Sequence, residues 1–125
     1  MLLIRNKQLQ VLSRAVLENG ALRHVKEHLP GYCKVLPEPS LAALVARAVD
    51  TAQRYRFSAG RDILQFVSLV IVLGEGFDRD PRLPWAREIL TATDPVLSRY
   101  RGMRLWDRAV RHLEEAEAER VGDLT

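Results

Sequence analysis

Residues 61–90 read RDILQFVSLVIVLGEGFDRDPRLPWAREIL. The first half is an apolar run, Ile63 to Leu73, broken only by Gln65 and Ser68. A bilayer span needs about 20 apolar residues, so this run reads as a buried element at the centre of a folded domain. The second half changes character. Gly74, Gly76, Asp78, Asp80, Pro81 and Pro84 fall within eleven residues. Turn formers at that density fix a loop path rather than build a core. A loop fixed in this way presents a surface, and no part of the stretch reads as a catalytic centre.

The apolar run is the ambiguous element. Phe66 to Leu73 is rich in β-branched residues and fits a buried strand. Its length from Ala59 exceeds most strands, and no other segment offers a partner for a strand's backbone. A helix from about Ala59 to Leu73, apolar on all sides and stopped by Gly74, satisfies both constraints.

Working outward, the flanking segments read as helices. Asn6 can cap a first helix to about Leu29, with Leu9, Leu12 and Val16 on one face, then Leu22, Val25 and Leu29 on a shifted one. A kink near Gly20 is compatible with that shift, and Pro30-Gly31 ends the helix. Pro37 and Pro39 suggest a short extended connection. Ser40 then caps a second helix, Leu41 to Tyr55, with Leu41, Leu44, Val45, Ala48 and Ala52 on one side, and Ser58 caps the central one. Pro84 suits the first position of a short helix to Leu90. Thr93-Asp94-Pro95 begins a last helix that runs to about Glu119, with Met103, Trp106, Val110 and Leu113 on its face, before a disordered tail over about 120–125. The fold expected is all-α: a single domain over residues 1–125, a bundle of five or six helices around the central apolar one.

Composition narrows the function classes. The 125 residues are 47% hydrophobic and 28% charged, ordinary for a globular protein. Residues 1–60 hold nine Lys/Arg against four Asp/Glu, and residues 61–125 hold ten against twelve. A basic front and an acidic tail favour a protein partner over nucleic acid. Arg5, Lys7, Arg14, Arg23 and Lys26 lie along the first helix without interleaved aromatics or a helix-turn-helix signature. The single Cys33 excludes an internal disulfide. The short apolar start MLLI does not make a signal peptide, so a cytoplasmic location is expected.

Three patterns carry chemistry on paper. His24-Val25-Lys26-Glu27-His28 matches the inverted zinc-peptidase spacing, but a catalytic zinc needs a third ligand and the helix face reads as solvated. Asp78-Arg79-Asp80 suggests a calcium loop, yet the twelfth position is Ile89 rather than glutamate, and the aspartates read as caps of turns. Cys33 near His24 and His28 lacks an oxyanion site and reads as a structural thiol. No catalytic residue, metal or cofactor is expected.

The segment Leu73-Gly74-x-x-Phe77-Asp78-x-Asp80-Pro81-x-Leu83-Pro84-Trp85-Ala86-x-x-Ile89-Leu90 is accompanied by IRNKQLQVL near the start, His28-Leu29-Pro30 with Cys33, and Tyr55 through Arg61-Asp62. Together they resemble small proteins of Gram-negative bacteria encoded beside type VI secretion spike proteins and their effectors. The resemblance covers roughly residues 1–115, and FDxDPxLPWAxxIL is its specific portion. The chain departs from the family pattern at Phe57-Ser58-Ala59-Gly60, where a Gly-Ile/Val-x-Ser-Glu type of entry to the central helix is usual. The resemblance implies a setting in effector delivery or its control. The expected function is therefore a non-enzymatic adaptor or chaperone that binds an effector or spike component. The alternative is an immunity protein that binds a cognate toxin, with Glu114 to Glu119 as an acidic plug. The expected partner-binding residues are Phe77, Asp78, Asp80, Arg82 and Trp85, with Arg79, Arg82 and Arg87 as a rim around an exposed Trp85. Neither nucleic acid nor a membrane is an expected partner.

Overall fold

The computed structural model describes residues 6–123, and the side chains of residues 14–122. Seven α-helices and one 3-10 turn account for the regular structure, with no strand among the described residues. The chain is all-α, as its pattern implies. It groups into two compact units, Met1–Glu75 and Gly76–Thr125.

The first unit holds α1 (Asn6–His28), α2 (Pro30–Cys33), α3 (Glu38–Arg54) and α4 (Gly60–Leu73). The apolar run is the helix α4, and it packs against α1, α2 and α3. Ile63, Phe66, Val67, Leu69 and Val70 are buried. Consecutive buried residues on a helix mean that several sides are covered, which is why the run lacks a polar face. Ser68, the polar interruption, is buried and donates its hydroxyl to the Leu64 carbonyl at 2.9 Å. Gly74 ends the helix at φ 104°, with its N–H on the Val70 carbonyl.

The caps differ from the sequence expectation. Proline at the first helical positions is tolerated because its missing N–H has no intrahelical partner there. So α3 starts at Glu38 with Pro37 as its N-cap, Pro39 lies in its first turn, and Ser40 is inside the helix. Ala59 rather than Ser58 precedes α4, without a side-chain cap. The end of α3 is a Schellman motif: Arg56 N–H reaches the Gln53 carbonyl at 2.9 Å and Phe57 N–H reaches the Ala52 carbonyl at 3.1 Å. The left-handed position is Arg56, at φ 67°. Buried Phe57 and half-buried Tyr55 each lie 6.1 Å from the Phe66 ring.

On α1, Ala21 and Val25 are fully buried at i, i+4, whereas Val16 is 70% exposed. Five residues of helix turn the chain by about 140°, so Val16 cannot share a face with Ala21. The expected cap at Asn6 and the expected faces at Leu9 and Leu12 lie outside the described side chains. Two ionic ties bind α1 to α3. The Arg14 guanidinium donates to Asp50 Oδ1 at 3.1 Å and Gln53 Oε1 at 3.3 Å, and to Glu18 within its own helix at 2.9 Å. Lys26 pairs with Glu38.

The second unit begins with a 3-10 turn (Phe77–Arg79), followed by α5 (Pro84–Leu90), α6 (Pro95–Arg99) and α7 (Arg101–Asp123). Asp94 caps α6 by accepting from the N–H groups of Val96 and Leu97. The last helix expected from sequence is thus two helices, parted at Tyr100, and it continues past Glu119 to Asp123. That split, with the separate turn of α2, raises the helix count above five or six. The face of α7 is also offset from expectation: Leu105 and Ala109 are buried, while Met103, Val110 and Leu113 are exposed.

Candidate protein-binding surface

The turn-rich signature folds by hydrogen bonds that its composition anticipates. Gly76 sits at φ 89°, in the left-handed region that glycine enters without a Cβ penalty. Its carbonyl accepts from Arg79 N–H at 2.9 Å, and the Phe77 carbonyl accepts from Asp80 N–H at 3.3 Å. Asp80 Oδ1 then accepts from Arg82 N–H at 2.9 Å, an Asx turn of the kind aspartate forms two residues back from a backbone donor. The Arg82 side chain closes on the same carboxylate, Nε to Oδ1 at 3.2 Å and Nη2 to Oδ2 at 2.9 Å. These bonds from Arg82, first its side chain and then its backbone, hold the Asp80 carboxyl below the usual carboxylate range. Leu83 N–H returns to the Asp80 carbonyl at 2.9 Å, and Pro84 opens α5.

Five residues were expected to meet a partner, and the structure divides them. Phe77 is 1% exposed and Asp78 is 5% exposed, so neither presents surface. Phe77 shares the interior with Leu83, Ala86, Ile89 and Leu90, the apolar positions of the same signature. Asp78 lies 3.9 Å from the Arg79 guanidinium. Asp80 is half-buried beneath Arg82, whose side chain is 87% exposed. Trp85 is half-buried against α7, with the Arg108 guanidinium 5.1 Å from its ring and His112 5.8 Å from it.

The expected rim of Arg79, Arg82 and Arg87 around an exposed tryptophan therefore does not form. The arginine over Trp85 is Arg108, far away in sequence; the i, i+4 pair Arg108 and His112 was its only trace. What Arg79 and Arg87 border instead is a shallow groove of about 540 Å³, shared with Asp80, Pro84, Glu88 and Thr91. It is walled by two prolines and the first turns of α5, and both charge signs line it. Arg101, from the start of α7, donates to the Leu90 carbonyl at 2.9 Å and so satisfies the open C-terminal end of α5.

The remaining chemical patterns take structural places. The His24 and His28 rings stack at 4.3 Å, and His28 Nδ1 lies 3.0 Å from the His24 carbonyl oxygen. Burial, then the neighbouring His28, lowers the His24 pKa. No group of three His, Cys, Asp or Glu converges among the described residues. Burial pushes the Cys33 thiol up, and its sulfur lies 3.5 Å from the Val25 carbonyl. Of the basic set on α1, Arg14 and Lys26 are engaged with carboxylates of α3, while Arg5 and Lys7 lie outside the described side chains. No helix among the described residues is long and apolar enough to cross a membrane. Set against family models, curated proteins and solved structures, the chain matches none.

Proposed function

We propose that this chain is a non-enzymatic accessory protein that binds another protein through the turn at 79–82 and the outer face of α5. The carrying observation is the groove lined by Arg79, Arg87 and Glu88, beside which the Asp80–Arg82 clamp holds the turn at fixed geometry. A turn already held in place loses little freedom on binding. Arginine is also among the commonest interface anchors. The resemblance of the signature gives the setting: an adaptor or chaperone in the cytoplasm for a type VI secretion effector or spike component.

The test is co-purification with the products of neighbouring genes, followed by Arg87→Glu. Arg87 is exposed and takes part in no ion pair among the described residues. Its reversal should abolish the complex while the melting temperature stays within error. Arg82→Glu is the contrasting variant, because it sets a second carboxylate against Asp80 and should disturb the turn itself. A complex that tolerates Arg87→Glu removes the α5 surface from the reading.

The exposed run Glu114, Glu115, Glu117 and Glu119 on α7 supports a second reading, an immunity protein that plugs a basic toxin site. Gene deletion separates the two: death of the strain points to immunity, and loss of secretion alone points to an adaptor.

A further inference from the structure

The lining of the α5 groove restricts the kind of partner it can take. Among the described residues that lining holds no aromatic ring and no branched aliphatic side chain. Its uncharged part is Pro81, Pro84 and Thr91. Proline-rich segments dock between aromatic rings, and amphipathic helices need pockets for apolar residues one turn apart. Neither finds its surface here. Addition of a strand needs a sheet edge, and no strand is present among the described residues. Thr91 already donates its hydroxyl to the Arg87 carbonyl at 2.7 Å. What is left to recognise a partner is charge.

The charges of the groove are not equally open. Asp80 is closed by Arg82, through two side-chain bonds and one from the backbone. Arg79 has a 75% exposed side chain, and its ion pair with buried Asp78 is 3.9 Å long, beyond hydrogen-bond reach. Arg87 and Glu88 are exposed and take part in no ion pair among the described residues. Two guanidinium groups therefore stand open against one carboxylate, and the groove faces solvent with a positive surplus.

We propose that the groove takes an extended segment of the partner protein, anchored by a single carboxylate on Arg87. This rests on the functional reading above and adds the chemistry of the partner. The wall that α5 and its C-cap form from Pro84 to Thr91 is about 10 Å long at about 1.5 Å per residue, the reach of about three extended residues. A guanidinium fork matches the two oxygens of a carboxylate. Arg79, on the same groove, adds a second attraction. Glu88 limits the charge that is accepted. A phosphorylated side chain brings about −1.5 to −2, which the Glu88 carboxylate repels more strongly than the single charge of aspartate or glutamate.

The test is a nuclear magnetic resonance titration of the isotope-labelled full chain with three end-blocked tripeptides: Ala-Glu-Ala, Ala-Gln-Ala and Ala-phosphoserine-Ala. The glutamate peptide at millimolar concentration should shift the amides of residues 79–91. The glutamine peptide should leave them in place, and the phosphoserine peptide should bind more weakly than the glutamate one. Arg87→Gln should weaken the glutamate peptide by at least about threefold, the size of a pair between exposed charges. Glu88→Gln should tighten it. Arg23→Gln, at an exposed arginine of α1 outside the ion pairs, should change nothing. An equal response to the glutamine peptide, tighter binding of the phosphoserine peptide, shifts spread beyond the groove, or full binding by Arg87→Gln overturns the proposal. The two readings fail separately. A complex with a neighbouring gene product that Arg87→Glu abolishes, in a chain that the glutamate peptide does not perturb, refutes this inference and leaves the functional reading in place. Peptide binding at 79–91 without any such complex does the reverse.

Discussion

Val67→Asp tests the central claim about the fold. Val67 is fully buried in the middle of α4, between Phe66 and Leu69, which are also buried. Deleting its two methyl groups alone would cost about 1.6 kcal/mol in transfer, plus a term for the cavity left behind. A carboxylate there costs more, because no basic side chain is among the residues of α4 packed around it. Its ion would be unpaired, and breaking or omitting a partner for a buried charge costs about 3–5 kcal/mol. Small domains are stable by about 5–15 kcal/mol, so the variant should be largely unfolded or close to it at neutral pH. The pH dependence gives a second handle. Burial raises the pKa of the introduced carboxyl in the folded state. The penalty is therefore complete above that raised value and is relieved as pH falls toward the unfolded value of about 3.9. The assay is urea denaturation followed at 222 nm at pH 7 and pH 5, beside Val67→Ala. A Val67→Asp midpoint equal to that of Val67→Ala at both pH values would refute the placement of this residue in the core.

Two further outcomes follow from the first unit. Arg56 occupies the left-handed position of the Schellman motif at φ 67°, where a residue with a Cβ is penalised by about 1–2 kcal/mol; Arg56→Gly should therefore stabilise the chain by up to about 1 kcal/mol in denaturant titration, part of the gain being lost to glycine's unfolded-state entropy. Asp50 is held below the usual carboxylate range by hydrogen bonds from Arg54 and then Arg14. Its folded pKa is depressed, so its contribution is present above the unfolded value of about 3.9 and is lost as pH falls through the folded one. Asp50→Asn should accordingly flatten the acid limb of the stability profile below about pH 4 while lowering stability at pH 7, and an unchanged acid limb would show that the α1–α3 tie carries none of it.

How much the sequence disclosed depended on whether the signal was local. Gly74 as the stop of α4, Pro84 at the start of α5, a helix start at Thr93-Asp94-Pro95 and Asp80 as a turn acceptor are all determined within a few residues of chain, and each is where the pattern puts it. Helix over strand for the apolar run follows from its length and the want of a partner strand, a whole-chain argument. The caps at Ser40 and Ser58 are local exceptions, displaced by Pro37 and Ala59; the other differences are of another kind. Phe77 lies in a turn, a place that suggests exposure, but turns in a small unit still supply core residues, and its burial beside Leu83 and Ala86 is a matter of packing that turn composition does not carry. The sequence neighbours of Trp85 suggest an arginine rim, whereas the arginine over its ring, Arg108, comes from α7. On α7 the apolar periodicity reports that a face exists and not what covers it: Met103, Val110 and Leu113 are exposed, while Leu105 and Ala109 are buried.

Arg82 and Arg87 show how composition can point to a surface without telling which residue acts there. Sixteen arginines against three lysines suggests planar, bidentate contacts. Arg14, Arg47, Arg54 and Arg82 each meet a carboxylate of their own chain. Such an arginine is orienting as much as it is oriented: Arg82 fixes the Asp80 turn, and the turn in turn fixes the entry to α5. An incoming carboxylate would have to share Arg82 with Asp80, and the gain from the new pair would be offset by the weakening of the old one. Arg87 carries no such debt. It stands one helical turn beyond Pro84, exposed, on the wall of the groove. A partner's acidic group therefore gains more from Arg87 than from Arg82, even though Arg82 is the more conspicuous of the two. The division of labour is a brace at 80–82 and a contact at 87, and it is the reason the charge reversal that reads out binding belongs on α5 rather than in the turn.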